Sequence, residues 1–325
     1  MYNVKLAGLY DPIAASIEDV RRICDDELSG DVASVNGLCA HLRDYRGKML
    51  RPALVLLTGQ ACGETTHDHL VLGAVVELVH LATLVHDDVL DEAELRRRCP
   101  TINHLHGNEA AVLLGDYLIS HAFHLCSSLD SQDASRLIGS TTNTVCEGEL
   151  VQVFNRGNYD LTEETYLQIL RRKTASLIAT CCVLGARHAG ADSATIARME
   201  SYGTNVGLAF QIEDDILDLT GNQAAMGKTL GLDLDKDKLT LPLIHFLETA
   251  ETARRAEALG VLGNGHADRT ERLRALVMDS ESVDYAQQRA HEFVRAAIAD
   301  LADLPPGDAK DSLVALAEFI VARNT

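Results

Sequence analysis

The long interval between Pro100 and Pro242 contains no proline, and its apolar residues recur three and four positions apart. That spacing predicts the buried face of an α-helix, whereas a half-buried strand would alternate apolar and polar residues. Stretches such as AAVLLGDYLISHAFHL and TYLQILRRKTASLIATCCVLGA carry the helical pattern, and strand-like runs are nearly absent. The sequence therefore predicts an all-α fold.

The helical pattern extends over most of the chain. Two segments, 108–128 and 193–217, are apolar around most of their circumference, which predicts helices at the centre of a bundle. No linker rich in Pro, Gly or Ser divides the chain, so we expect a single domain over residues 1–325. Helices are predicted at 13–29, 32–43, 49–62, 68–94, 108–128, 131–153, 162–189, 193–220, 240–258, 268–278, 283–303 and 309–323.

Composition limits the classes of function. The net charge of −19 argues against binding to nucleic acid or to an anionic membrane surface. The eight cysteines form neither a C-x-x-C pair nor a Cys/His cluster with zinc spacing, which favours small core residues in a reducing compartment. The N-terminus lacks the features of a signal peptide, and we expect no stretch to reach transmembrane length. These features predict a cytoplasmic protein without a transmembrane segment.

The motif D-D-x-x-D occurs twice, each time at the end of an apolar helical pattern. Residues four apart lie on one helix face with Cβ atoms ~5–6 Å apart, so the first and last aspartates of each copy should point together. Such a pair late in a helix is destabilised by mutual repulsion and by the helix dipole unless a cation bridges it. The aspartates are Asp87, Asp88 and Asp91 in the first copy and Asp214, Asp215 and Asp218 in the second.

Carboxylate oxygens alone are ligands that suit Mg²⁺ or Mn²⁺, which complete their coordination with water and substrate phosphates. One copy of the motif could equally be a solvated acidic helix end, but two copies on two apolar helices favour metal binding. A calcium site of the EF-hand type is not expected, because neither copy has the loop glycine and distal glutamate of that motif. The sequence thus predicts a divalent metal held by two aspartate clusters.

Basic residues stand close to both clusters in the sequence. Each one taken singly would be a surface charge, but together they suit a site with two phosphorylated substrates. Aspartate-bound metals would hold one diphosphate, and a purely basic pocket would hold the other. These residues are Lys48, Arg51, His80, Arg96, Arg97, Lys173 and Lys228.

Taken together and in this order, the motifs resemble those of the trans-isoprenyl diphosphate synthases, also called polyprenyl synthetases. The resemblance covers nearly the whole chain, and the ordered set is far more specific than one D-D-x-x-D. The motifs are G-K-x-x-R-P at 47–52, E-x-x-H at 77–80, H-D-D-x-x-D at 86–91, R-R-x-x-P-T at 96–101, G-D-Y-L at 115–118, G-E-x-x-Q at 148–152, K-T-A at 173–175, F-Q-I-x-D-D-x-x-D at 210–218, G-K at 227–228 and T-L-P-L at 240–243.

The resemblance implies a bundle of antiparallel helices around a deep central cavity, the isoprenoid synthase fold, usually as a homodimer. It implies a catalytic set made of all six aspartates, Lys173 and Lys228, with about three Mg²⁺ per active site. Asp87, Asp91 and Asp214 would be the metal ligands, with Asp88 and Asp218 assisting. Arg96, Lys173 and Lys228 would bind an allylic diphosphate with Gln211 nearby, and Lys48, Arg51, His80 and Arg97 would bind isopentenyl diphosphate.

The implied reaction needs no protein nucleophile or general base. The allylic C–O bond ionises when metals and cations stabilise the departing diphosphate. The double bond of isopentenyl diphosphate then attacks C1 of the allylic cation, and a proton is lost to the released diphosphate. An apolar bundle keeps the cation away from water.

Three related classes are alternatives. A class I terpene cyclase shares the fold, but its second metal motif has an N-D/x-x-S/T-x-x-x-E pattern that is absent here. A head-to-head synthase of the squalene or phytoene type lacks the Lys48, Arg51 and His80 set. A non-catalytic partner subunit typically loses aspartates from one cluster, whereas this chain keeps all six.

The chain departs from the family pattern at four positions. Arg46 replaces a glycine and Met49 an arginine before the R-P pair, and Arg98 and Asp237 stand where the family often has glycine. None is a predicted metal ligand, so we expect activity to be retained.

Product length is predicted from the helix face behind Asp87. Thr83 lies one turn back (~5.4 Å), with Ala82 beside it. By resemblance, synthases that stop at farnesyl diphosphate carry aromatic residues at this level. The small residues here predict a medium-to-long product, similar to that of octaprenyl diphosphate synthases. A farnesyl or geranylgeranyl product is the alternative, and a deeper stop such as Phe123 stays open.

Overall fold

We describe the fold from a computed structural model, which describes residues 8–43, 45, 47–221, 234, 236–263 and 268–322. These residues are helical almost throughout, which confirms the all-α prediction. They contain one sheet, a two-residue antiparallel hairpin in which β1 (Leu95–Arg96) pairs with β2 (Cys99–Pro100). A 3₁₀ turn, Asp11–Ile13, precedes the first helix, and a π turn, Arg171–Ala175, follows the seventh.

The α-helices of the described part follow one another with short connections. They are α1 (Ala14–Glu27), α2 (Ala33–His41), α3 (Leu50–Cys62), α4 (His67–Leu90), α5 (Ile102–Ser127), α6 (Gln132–Phe154), α7 (Glu163–Leu170), α8 (Ser176–His188), α9 (Ser193–Thr220), α10 (Leu241–Thr249), α11 (Thr252–Gly263), α12 (Arg269–Met278), α13 (Ser282–Asp300) and α14 (Asp308–Val321).

The helix predicted at 162–189 is divided into α7, the π turn and α8. Three other predicted helices have clearly different limits in the structure. The helix predicted at 68–94 ends at Leu90, because the chain turns through Glu92, with φ +49°, into the β-hairpin. The segment 240–258 is divided between α10 and α11 by Ala250, whose backbone is extended. Helix α5 begins before residue 108 and contains a non-helical Gly107 with φ +83°. All three differences arise at turns whose backbone geometry is not encoded in the apolar spacing.

The prediction that 108–128 is a central helix is wrong. Helix α5 buries a stripe that includes Ala111, Leu114 and Leu118, but its opposite face is open. On that face Leu113 is 61% exposed, and Val112 is also exposed. Helix α5 therefore has two apolar faces. Other residues of this chain pack against one of them, and the other is exposed.

The described residues divide into two compact units. The first comprises those within 1–142, 177–201 and 300–316, and the second comprises those within 143–176, 202–299 and 317–325. The prediction of one domain over 1–325 stays a prediction.

The first unit is built around α3 and α4. Every residue of α3 from Pro52 to Gly59 is buried, and α4 packs against α1, α3 and α5. Pro52 is compatible with the helix because it stands in the first turn, where the backbone N–H has no helical partner. At Gly185, α8 lies so close to α3 that a Cβ would meet the Gly59 backbone N at 3.0 Å. Close helix packing therefore fixes the helix that ends in the first aspartate cluster.

Helix α4 is also long and apolar enough to cross a membrane, as judged by length and composition. This corrects the expectation that no stretch reaches that length. In the structure, 72% of the apolar window of α4 is buried, as in the core helix of a folded domain. The absence of a transmembrane segment stays a prediction.

The core of the second unit forms along the C-terminal half of α9. Leu208, Ile212 and Ile216 repeat at the helical interval of four and belong to one buried cluster with Leu243 and Phe246 of α10. Because these residues occupy one face of α9, the acidic residues between them lie on other faces. The apolar stripe thus determines where the second aspartate cluster points.

His69 links the N-terminus of α4 to α8. It is fully buried, and its Nδ1 accepts a hydrogen bond from the Thr66 backbone N–H at 3.0 Å, which leaves Nε2–H to donate to the Gly185 carbonyl at 3.0 Å. Burial lowers the pKa of His69, and nearby His188 lowers it further, while the Gly185 bond and Asp68 oppose the shift. The imidazole is therefore held neutral, since a proton on Nδ1 would break the cap.

We predict that His69 makes stability depend on pH. Its contribution is complete above the unfolded-state pKa of about 6.5 and is lost as the pH falls below it toward the lower folded-state pKa. His69→Gln keeps a capping side chain at this position, so its free energy of unfolding should fall less than that of the wild type between pH 7.5 and 5.5. Urea unfolding across this range measures the difference. His67→Gln, at an exposed neighbour, is the control, and equal slopes for wild type and His69→Gln would contradict the assignment.

Candidate active site

The first aspartate cluster lies on the last turn of α4. The Asp91 backbone N–H donates to the Asp87 carbonyl at 2.8 Å, so helical spacing continues through Asp91. Asp87 and Asp91 are half-buried and share one helix face, whereas Asp88 is 1% exposed. The structure thus separates the motif into an accessible pair and one buried carboxylate.

Arg96 of the β-hairpin holds the buried carboxylate. Its Nε and Nη2 lie 2.8 Å and 2.7 Å from Asp88 Oδ1. Burial disfavours the guanidinium charge, but the hydrogen bond and charge of Asp88 outweigh it and raise the pKa of Arg96. Asp88 Oδ2 is buried without a hydrogen-bond partner among the described residues. Arg96, predicted to bind diphosphate, is placed where it also orients the cluster.

The hairpin turn explains one departure from the family pattern. Arg97 and Arg98 have φ of +52° and +69°, the left-handed values of a tight two-residue turn. Glycine adopts these values without strain, which accounts for the family preference at position 98. Arg97 Nη1 donates to the Tyr45 carbonyl at 2.5 Å, and its guanidinium covers Gly47, where a Cβ would overlap it. The missing side chain at Gly47 therefore makes room for Arg97.

Three of the four residues predicted to bind isopentenyl diphosphate come together in the first unit. Burial lowers the pKa of His80 well below its ordinary value, and the cations of Arg51 and Arg97 lower it further. Burial also lowers the pKa of Arg51, and Arg97 adds to that effect. Arg51 Nε and His80 Nδ1 are buried without hydrogen-bond partners among the described residues. Lys48, the fourth, is exposed beside Gly47 in the loop before α3.

Two residues at this basic group were not assigned a role from the sequence. Cys181 and Glu77, which is 2% exposed, both favour the charged form of Arg51. The Tyr10 hydroxyl is buried without a hydrogen-bond partner among the described residues, and burial raises its pKa. The E-x-x-H spacing contained the signal for Glu77. Tyr10 belongs to no motif, and only tertiary packing brings it near Glu77.

The second aspartate cluster is divided in the same way as the first. Asp214 and Asp218 are half-buried, four residues apart on α9, whereas Asp215 is 2% exposed. The Tyr166 hydroxyl donates to Asp215 Oδ2 at 2.7 Å, and Gln211 Nε2 donates to Oδ1 at 2.9 Å. Lys238 Nζ lies 3.8 Å from the same Oδ1. Protein donors therefore surround the middle aspartate here too. The sequence indicated neither Tyr166 nor Lys238, which meet α9 only through the fold.

The π turn places the K-T-A motif against α9. Thr174 Oγ1 donates to Gln211 Oε1 at 3.0 Å, so both ends of this amide are engaged. A Cβ at Gly207 would lie 2.5 Å from Ala175 Cα, and one at Gly148 would lie 2.6 Å from the Lys173 backbone N. The turn thus packs tightly against α6 and α9, which explains the glycine of the G-E-x-x-Q motif.

Lys173 is ion-paired with Glu149 of that same motif. Lys238 follows Asp237, whose φ of +56° again explains a family glycine. The Asp237 carboxylate forms an ion pair with Arg269. Lys228, predicted to bind the allylic diphosphate, and Arg46 lie outside the described residues.

The two residues predicted to control product length differ in their surroundings. Ala82 is completely buried in the packing around α4. Thr83 is half-buried on the face that carries Asp87, and its hydroxyl donates to the His80 carbonyl at 2.8 Å. Thr83 is therefore the residue of the two that a molecule bound beside Asp87 would contact.

Comparisons with known proteins agree with the motifs and the fold. The sequence model of the polyprenyl synthetase family matches residues 32–278. The chain is 34% identical to octaprenyl diphosphate synthase of Escherichia coli, with 92% of this chain and 93% of that protein covered. It is 34% identical to a short chain isoprenyl diphosphate synthase of Methanothermobacter thermautotrophicus, over 87% and 89% of the two chains.

A solved structure shares the whole fold. The crystal structure of a decaprenyl diphosphate synthase from Rhodobacter capsulatus superimposes with a TM-score of 0.92 at 33% identity, covering 98% of this chain and 99% of that one. Sequence motifs, helical architecture and these relatives agree, and the chain belongs to the polyprenyl synthetase family.

Proposed function

We propose that this protein is a magnesium-dependent head-to-tail prenyltransferase. It condenses isopentenyl diphosphate with an allylic diphosphate to give a medium- to long-chain all-trans polyprenyl diphosphate, similar to octaprenyl diphosphate. The observation that carries the proposal is the basic group of Arg51, His80 and Arg97, with buried nitrogen atoms on Arg51 and His80, in the unit that also carries Asp87 and Asp91.

This basic group has the chemistry of a diphosphate pocket. Buried cations without enough hydrogen-bond acceptors are destabilising, and the oxygens of a diphosphate supply such acceptors together with opposite charge. Arg51 contributes an unpartnered buried Nε, and Glu77 balances only part of the positive charge. A basic pocket of this kind separates a transferase, which needs a second diphosphate, from a terpene cyclase, which does not.

The aspartate clusters fit Mg²⁺ by their donor set. Among the residues that the structure describes, no group of three His, Cys, Asp or Glu side chains is placed to hold a metal by itself. Mg²⁺ usually takes one or two carboxylates and completes its shell with water and substrate phosphates, which suits the pairs Asp87–Asp91 and Asp214–Asp218. When bound, Mg²⁺ supplies Lewis-acid stabilisation of a departing diphosphate.

The remaining residues bind the two diphosphates and keep water from the reacting carbons. We assign Arg96 and Lys173 to the allylic diphosphate and Lys48, Arg51, His80 and Arg97 to isopentenyl diphosphate. The closely packed apolar helices α3 and α4 keep water from the reacting carbons. We also propose that the protein is cytoplasmic, because all eight cysteines are free thiols, as expected in a reducing compartment.

We predict that Asp87→Ala and Asp214→Ala each reduce product formation by at least about a hundredfold, because each removes a charge that holds metal and diphosphate. Helical content measured by circular dichroism should stay unchanged, since both side chains are only half-buried. The assay follows incorporation of labelled isopentenyl diphosphate with Mg²⁺ and geranyl diphosphate. Glu109→Ala, at an exposed acid on α5, is the control. A near-normal rate in either aspartate variant would refute the metal assignment.

Product length depends on the face of α4 behind Asp87. Thr83 is small and half-exposed there, which leaves room for a growing chain. Relatives include both an octaprenyl and a short chain synthase, so a farnesyl or geranylgeranyl product is the alternative. Ala82 is completely buried, and enlarging it would strain the core instead of testing the path of the product.

We predict that Thr83→Phe shortens the main product, because the ring would project behind Asp87 and block elongation. Chromatography of dephosphorylated products measures the length. Leu84→Phe is the matched control, since that residue is also half-buried but lies roughly 100° around the helix. Unchanged length in Thr83→Phe would place the end of the product elsewhere, and equal shortening in both variants would show a nonspecific effect.

We further propose that the protein is a homodimer. Helix α5 carries the exposed apolar residues Leu105, Val112, Leu113 and Phe123, and exposed apolar residues on one helix are typical of an interface. A second copy is the occupant we infer, since a two-fold contact can pair one apolar face with itself. Homodimers are usual in the family that the sequence resembles.

We predict that Leu113→Asp shifts the protein toward monomer in sedimentation velocity experiments, because the carboxylate would be buried without a partner. Val32→Asp is the control, as Val32 is 57% exposed, directly precedes α2 and is not part of α5. The face is not the dimer interface if Leu113→Asp and the wild type sediment identically as dimers.

A further inference from the structure

We propose that Tyr166 is a positioning residue of the second aspartate cluster and that it acts through Asp215. Its hydroxyl fixes the buried carboxylate, and the fixed carboxylate keeps the last turns of α9 oriented so that Asp214 and Asp218 present their oxygens together. The inference rests on the proposed function, because it concerns how that reaction's metal-binding face is held.

The contact is short, buried and directed. Tyr166 and Asp215 are each 2% exposed, and the hydroxyl donates to Oδ2 at 2.7 Å. A hydrogen bond to a charged group in a buried setting is stronger than one between neutral groups. Tyr166 also lies in the apolar cluster of the second unit, so its ring is fixed by packing on α7 before the hydroxyl reaches α9.

The two oxygens of Asp215 have separate partners. Oδ1 is approached by Gln211 Nε2 at 2.9 Å and by Lys238 Nζ at 3.8 Å, whereas the Tyr166 hydroxyl donates to Oδ2. Gln211 is itself fixed by Thr174. Removal of the Tyr166 hydroxyl therefore takes a donor from one side only, and the carboxylate is expected to turn toward Gln211 and Lys238.

The first cluster also has a buried middle carboxylate held by a protein donor, but the donor is a different side chain. There the middle aspartate, Asp88, is also buried, and Arg96 holds it through two nitrogen atoms. In both clusters the outer pair is half-buried and the middle carboxylate is bound by the protein. The Tyr166 hydroxyl thus holds the buried carboxylate of the second cluster, as the Arg96 guanidinium holds that of the first.

A purely structural role for Tyr166 gives a different expectation. If only the ring mattered, Tyr166→Phe would preserve packing and change neither metal binding nor turnover. If the hydroxyl positions the cluster, Tyr166→Phe should weaken metal binding and lower kcat while KM for isopentenyl diphosphate stays within about twofold. The basic pocket for that substrate involves other residues, so its KM is the internal reference.

The experiment compares wild type, Tyr166→Phe and Tyr285→Phe. Tyr285 is the matched control, because its hydroxyl also donates to a carboxylate, Glu163 Oε2 at 2.6 Å, in the same unit. Steady-state kinetics give kcat and KM, and electron paramagnetic resonance titration of Mn²⁺ with geranyl thiolodiphosphate gives metal affinity without turnover. We expect Tyr166→Phe to lose about tenfold in both kcat and Mn²⁺ affinity, the scale of one hydrogen bond to a charged group. Tyr285→Phe should stay within about twofold of wild type in both.

A double variant separates positioning from loss of fold. If Tyr166 acts through Asp215, Tyr166→Phe combined with Asp215→Asn should lose no more activity than Asp215→Asn alone. Additive losses, or wild-type kcat and Mn²⁺ affinity in Tyr166→Phe, would overturn the inference. An inactive wild type would instead refute the proposed function, so the two failures are distinguishable.

Discussion

A buried carboxylate that protein donors hold in place is the interaction on which both aspartate clusters depend. Asp88 is held by Arg96, and Asp215 is held by Tyr166 and Gln211. Burying an unpaired charge is strongly destabilising, so these donors stabilise the buried position of each middle carboxylate. With the middle aspartate fixed, the two outer aspartates of each cluster share one face and stay accessible to a metal.

Close approach of neighbouring groups to glycine backbone is the second condition for this site. Gly47 admits the Arg97 guanidinium, and Gly148 and Gly207 admit the π turn that carries Lys173. Each of these glycines lies where a Cβ would overlap a neighbour. The family motifs therefore combine residues that bind with residues whose missing side chain lets the binding residues reach their places.

Much of the fold was predictable from the sequence because helices obey a local rule. The apolar interval of three and four placed most helices within a few residues, and the D-D-x-x-D spacing placed Asp87 with Asp91 on one face. The features that could not be predicted depend on contacts between residues far apart in the sequence. Tyr166 and Lys238 reach Asp215 only through the fold, and the open face of α5 depends on which side of an apolar helix finds a partner.

The most direct test of the central claim is the product of the wild-type protein. Purified protein, Mg²⁺ and labelled isopentenyl diphosphate are incubated with dimethylallyl, geranyl, farnesyl or geranylgeranyl diphosphate, and the dephosphorylated products are sized by chromatography. We expect polyprenyl chains of octaprenyl length. Chains that stop at farnesyl or geranylgeranyl would keep the enzyme class and refute the length assignment. Failure to consume isopentenyl diphosphate with any primer would contradict the proposed reaction.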